Sequence, residues 1–170
     1  MKTLSEYREL IIGWAADRNL IEGSTPSKQL DKLFEELGEY AGNSARGRDR
    51  KDDLGDIFVV LTILSAQLKL NLNMDLPEPT EVAIENYTNG LVYSSVGMVA
   101  VTYEMLRGGI PEMTLKEVGH TILQAVYILN IAAKVNSVNL TDCVEISWNE
   151  IKDRKGKMVN GVFVKEADLV

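Results

Sequence analysis

The chain has 170 residues, of which 45% are hydrophobic and 25% charged, enough apolar material for one globular core without an external staple. A formal net charge of -7 excludes a general nucleic-acid surface, because affinity for phosphate backbones needs clustered Lys and Arg; a small anion bridged by cations remains compatible. The strongly apolar run Ile57–Leu64, broken only by Thr62, falls short of the roughly 20 residues that span a bilayer, and the lone Cys143 with no export-type leader predicts a single cytoplasmic domain without membrane contact.

Helical periodicity dominates, and four prolines punctuate it. The first helix is expected from about Leu4 to Asp17. Pro26 suits a first helical turn, and Leu30, Leu33, Phe34, Leu37 and Ala41 form an apolar stripe, so a second helix runs to about Ala45. A basic connection over residues 46–51 leads to a third helix, about Asp52 to Leu70, apolar nearly all round beyond Asp56 and therefore central in a bundle. Residues 72–80, with Pro77 and Pro79, read as a linker. Two further helices follow at about Glu81–Arg107 and Leu115–Asn136, separated by Gly108, Gly109 and Pro111. A last helix covers about Thr141–Lys155, and Asn160-Gly161 between short apolar runs predicts a terminal hairpin. The expected architecture is all-α: a bundle of about six helices with a short C-terminal hairpin.

The order of small and acidic residues recurs. Glu36, Glu39, Arg46-Gly47, Asp53 and Asp56 precede one long apolar helix; Ser95, Met98, Arg107-Gly108, Glu117 and His120 precede another. The second helix pair, about 81–136, reads as a degenerate copy of the first, about 26–70, with its carboxylates mostly lost; the competing reading is that two antiparallel helices joined by a glycine turn resemble each other through shared packing alone. Glu117-x-x-His120 alone cannot build a di-iron bundle site, which needs two such pairs, and the chain has one histidine.

Residues three apart on a helix are neighbours, so Glu36 with Glu39 and Asp53 with Asp56 make two acidic pairs. A helix, a short turn and a second helix can bring them to a common volume. Taken alone, a Glu-Glu-x-x-Glu run is more often a wet helix surface than a metal site. Asp53 and Asp56, however, continue the line of Val60, Ile63 and Leu64 into an apolar face, where unpaired carboxylates are costly and a hard divalent cation makes them tolerable.

Glu36-Leu37-Gly38-Glu39 followed by Asp53-Leu54-Gly55-Asp56 resembles the Glu-x-x-Glu, spacer, Glu-x-x-Asp motif of the MazG-like all-α nucleoside triphosphate pyrophosphohydrolases, related to dimeric dUTPases and dCTPases. Asp53 stands where that pattern has Glu. The resemblance extends to Trp14–Leu20, Trp148–Met158 and Asn160–Lys165 and lapses over about Leu72–Ser137. It implies that Glu36, Glu39, Asp53 and Asp56 hold Mg²⁺, with Mn²⁺ as an alternative, against a nucleoside triphosphate that water cleaves to monophosphate and pyrophosphate. Glu35 is then a candidate base, with an outward surface glutamate as the competing reading. Lys32 and, on the last helix, Asn149, Lys152, Arg154 and Lys155 are candidate phosphate contacts; an i,i+4 ion pair and a helix C-terminal dipole are the plain alternatives. Trp14 is expected in the core. The resemblance also implies a homodimer. A non-catalytic helical binding module and an enzyme of narrow dUTPase or dCTPase type are the competing functions.

Overall fold

The computed structural model describes residues 2–77, 79 and 87–169. Among them are six α-helices and one two-stranded sheet: α1 (Leu4–Asp17), α2 (Pro26–Ala45), α3 (Lys51–Gln67), α4 (Thr88–Arg107), α5 (Leu115–Val135), α6 (Leu140–Ile151), β1 (Gly156–Val159) and β2 (Val162–Lys165). The all-α bundle with a C-terminal hairpin is the architecture that the periodicity predicts. Residues 81–86, expected in the fourth helix, lie outside the described residues.

Local chemistry sets the helix starts. Thr3 and Glu6 cap α1 reciprocally, Thr3 Oγ1 accepting from the Glu6 amide (3.2 Å) and Glu6 Oε2 from the Thr3 amide (2.7 Å). Thr25 caps α2 with Pro26 just inside, and Thr114 caps α5. Two ends come earlier than the periodicity predicts. α3 stops at Gln67, not Leu70, because Lys69 turns left-handed (φ 56°) and the Leu70 amide folds back to the Ser65 carbonyl at 2.9 Å. α6 stops at Ile151, not Lys155; Arg18 draws the carbonyls of Arg154 (2.9 Å) and Lys152 (3.4 Å) toward α1.

α3 is the central helix, packed against α1, α2, α5 and α6, with Leu54, Ile57, Phe58, Leu61 and Leu64 fully buried. Gly55 allows α6 to approach closely: a β-carbon there would collide with the Ser147 hydroxyl and the Cys143 carbonyl. α5 is long and apolar enough to cross a membrane, a length that the shorter run at 57–64 conceals, and more than half of its most apolar stretch is buried inside the bundle.

The consecutive pairs α2–α3 and α4–α5 are tied by a polar knot. Arg50 donates to Ser44 Oγ (3.2 Å), Asn89 Oδ1 (3.0 Å) and Asn136 Oδ1 (2.6 Å), while Tyr40 donates to Asn89 Oδ1 (2.8 Å). Burial follows the repeat in part. Ser95 is buried like Glu36, and Met98 is exposed like Glu39, but His120 is exposed where Asp56 is half-buried.

The hairpin pairs antiparallel, Gly156 with Lys165 through Val159 with Val162, around Asn160 (φ 52°) and Gly161 (φ 77°), the two left-handed residues of a type I′ turn. It docks on the N-terminal helices: Ser24 Oγ donates to the Gly161 carbonyl (2.8 Å), Lys28 to that of Asn160, and Phe163 meets Trp14 edge-on at 6.0 Å.

Candidate functional site

The hairpin, α2, the start of α3 and the end of α6 enclose a cleft of about 390 Å³, within the size range of small-molecule sites. Its walls differ in chemistry. Glu35, Glu36 and Glu39 from α2, Asp52 and Asp56 from α3 and Glu150 from α6 supply carboxylates. Lys28 and Lys32 from α2, Arg154 beyond α6 and Lys165 from β2 supply cations. Trp14, Leu20, Val59, Val60, Ile63 and Phe163 supply an apolar end.

The spacing of α2 explains its side of the cleft. Lys28, Lys32 and Glu36 lie one turn apart along one strip, beside the core line of Leu30 and Leu33. Glu36 is only 6% exposed, and Lys32 Nζ reaches its Oε1 at 2.6 Å and Glu35 Oε2 at 3.2 Å. Burial raises the Glu36 pKa, with the Lys32 ammonium opposing and the Glu39 and Glu35 charges adding to it. Burial alone would lower the Lys32 pKa, but its ion pairs with Glu36 and Glu35 hold it above the ordinary value.

Asp56 is the most perturbed carboxyl of the cleft. Burial pushes its pKa up to about 7, the charges of Glu36 and Asp52 raise it further, the Ser147 hydroxyl opposes, and Glu150 adds a smaller push. Asp52 is raised in the same direction, first by burial and then by Glu150, Asp53 and Glu39. An oxygen-only, mutually repelling set of this kind suits a hard divalent cation. As the side chains lie, however, no three His, Cys, Asp or Glu among the described residues stand close enough to hold a metal ion.

The predicted residues divide accordingly. Glu35, Glu36, Glu39, Asp56, Lys32 and Arg154 line the cleft. Asp53 does not: it is 5% exposed, and Asn43 Nδ2 donates to both of its oxygens at 3.0 Å, lowering a pKa that burial raises more. Asn149, Lys152 and Lys155 also stand outside the cleft lining; Lys152 Nζ instead donates to Asn149 Oδ1 at 2.8 Å. Asn149, inside α6, stands one position and so about 100° around the helix from Glu150, which does line the cleft, while the early end of α6 takes Lys155 off the helical strip that grouped it with Lys152.

Asp52, Glu150, Lys28 and Lys165 are cleft residues that the motif does not contain. Three of them carried a signal. Asp52 precedes Asp56 by one turn, Lys28 precedes Lys32 by one turn, and Glu150 flanks Ser147 and Ile151, the buried line of α6. Lys165 carried none, because only the fold of the hairpin brings it there.

Similarity to known proteins is narrow. One 69-residue stretch is 46% identical to the uncharacterized 18.2 kDa protein in the rep-hol intergenic region of Haemophilus phage HP1, covering 39% of this chain and 42% of that protein. The chain thus matches less than half of that relative's length. No family model matches, and no solved structure does.

Proposed function

We propose that the protein is a Mg²⁺-dependent nucleoside triphosphate pyrophosphohydrolase, which hydrolyses the α–β anhydride to release a nucleoside monophosphate and pyrophosphate. The observation that carries the reading is the mixed lining of one cleft: carboxylates of α2, α3 and α6, the cations Lys28, Lys32, Arg154 and Lys165, and apolar side chains including Trp14 and Phe163 line the same cavity, with Lys32 paired to Glu36 and Glu35. A polyanion held through a cation, with a flat apolar group attached, matches all three zones.

The cation-holding set in this reading is Glu36, Glu39, Asp53 and Asp56, with Asp53 released from Asn43, and with Asp52 and Glu150 adding negative charge around it. Bound Mg²⁺ would neutralise phosphate oxygens and lower the pKa of a coordinated water. Lys28, Lys32, Arg154 and Lys165 would bind the phosphate chain. Lys32 would exchange its ion pairs with Glu36 and Glu35 for contacts to substrate, and freed Glu35, at the exposed lip, would accept a proton from the attacking water. The apolar end, with Trp14 and Phe163, would shelter the base.

A non-catalytic binding module is the second reading. Two contacts favour it: the Lys32–Glu36 ion pair and the Asn43–Asp53 hydrogen bonds already satisfy both buried carboxylates without a metal.

Incubation with a panel of deoxy- and ribonucleoside triphosphates plus Mg²⁺ separates the two. The expected products are monophosphate and pyrophosphate in equal amounts, with turnover reduced by about 100-fold or more in Asp56→Asn. Diphosphate and inorganic phosphate as products, turnover indifferent to that substitution, or binding without turnover would each overturn the proposed chemistry.

A further inference from the structure

The carbonyls in the last turn of a helix have no partner within it, and at the ends of α1 and α6 one side chain serves both. Arg18, the residue that closes α1, donates through Nη1 to the Trp14 carbonyl at 3.2 Å, through Nε to the Arg154 carbonyl at 2.9 Å and through Nη2 to the Lys152 carbonyl at 3.4 Å. Its guanidinium carbon also stands 4.7 Å from the centre of the Trp14 ring, within the range of a cation–π contact. A planar guanidinium carries its N–H donors in a fixed fork, so from one position it reaches several carbonyls while lying against a ring. A lysine ammonium, a point charge, cannot.

These contacts hold two unlike parts of the cleft. The Lys152 and Arg154 carbonyls belong to the segment that leaves the α6 path after Ile151, and its course decides which side chain there reaches the cleft: Arg154 lines it, and Lys152 and Lys155 do not. The ring belongs to Trp14, which lines the apolar end, is only 8% exposed and meets Phe163 edge-on. Arg18 is half-buried and stands outside the lining.

We propose, on the nucleotide reading given above, that Arg18 is a positioning residue for substrate recognition. Through the Arg154 backbone it sets a cation that takes the phosphate chain, and through the Trp14 ring it sets the apolar end that takes the nucleoside. The carboxylates of the cation-holding set stand on α2 and α3, and the hydrogen bonds of Arg18 go to α1 and to the segment after α6. Arg18 therefore governs binding and leaves the chemical step to the acidic wall.

Calorimetric titration of inorganic tripolyphosphate with Mg²⁺ into the full chain reads the phosphate end without turnover. Arg18→Lys keeps the charge and loses the fork; it and Arg18→Gln should bind tripolyphosphate about 10-fold or more weakly than the parent, with circular dichroism spectra like the parent's. Because the effect on phosphate runs through Arg154, it should nearly vanish once that side chain is gone, so Arg154→Ala alone and Arg154→Ala combined with Arg18→Lys should bind alike. In turnover of nucleoside triphosphates, the Arg18 variants should raise KM by about 10-fold or more and keep kcat within about 2-fold, the pattern of lost binding. A merely structural role would instead lower the active fraction, and with it kcat, at unchanged KM. Tripolyphosphate binding without triphosphate turnover would sink the hydrolase reading and leave the role of Arg18 to be decided by the affinities. Parental affinity in the folded Arg18 variants, a loss of the same size with and without the Arg154 side chain, loss of the fold in both Arg18 variants, or a parent that binds no tripolyphosphate overturns the proposal.

Discussion

At Asp56 the fold raises a carboxyl pKa to about 7, chiefly through burial, against roughly 4 in an unfolded chain. Between those values the folded state keeps a proton that the unfolded state releases, so stability falls as pH rises through the window, and the full cost is present above pH 7. Without divalent cation, the melting temperature should therefore drop from pH 5 to pH 8. Asp56→Asn should flatten that part of the profile and melt about 2–4 °C higher at pH 8; parallel profiles for the two proteins would contradict the assignment. Lys32 permits a second test. If it hands its ammonium from Glu36 to the phosphate chain, Lys32→Met should raise the KM of the triphosphate by about 10- to 100-fold, the worth of one charge-assisted hydrogen bond. An unchanged KM would leave Lys32 a surface ion pair. Sequence spacing identified Glu36 and Asp56 because both flank an apolar stripe on their own helix. It did not show that Asp53 is claimed by Asn43, because the orientation of the amide depends on how α2 and α3 dock.

At the scale of elements, the bounds of α1 and α2 were legible because capping threonines and Pro26 act within a few residues. The ends of α3 and α6 were not. Leu68 and Leu70 extend the apolar pattern of α3 while sitting in its C-terminal turn, partly buried against the core. Lys152 and Arg154 leave the helical path for Arg18, more than 130 residues away in the chain. The contact between α3 and α6 makes Gly55 decisive: it lets α6 carry Glu150 to the wall that holds Asp52 and Asp56. Gly55→Val should cost about 1–3 kcal/mol through overpacking, read as a lower melting temperature by circular dichroism. A melting temperature equal to the parent's would mean that the two helices do not approach as closely as this packing requires.

Across the whole molecule, helix number and order followed from periodicity, and Glu35, Glu36, Glu39 and Asp56 of the cleft followed from one helical hairpin, with Lys32 and Arg154 beside them. Asp52, Glu150 and the hairpin's share of the cleft were not identified. Lys165 and Phe163 reach it through the docked hairpin, and the pairing of Arg50 with Asn89 and Asn136 joins helix pairs far apart in sequence. Such contacts arise from packing of distant segments and leave no periodic trace. The central claim is that the acidic wall binds a divalent cation together with a polyphosphate. Calorimetric titration of Mg²⁺ into the full chain, in the presence of a triphosphate whose α–β bridge is an imido group, tests this most directly. The account predicts saturable heat in the parent protein that is lost in Asp56→Asn while the fold is retained; no heat in the parent, or equal heat in both proteins, would contradict it.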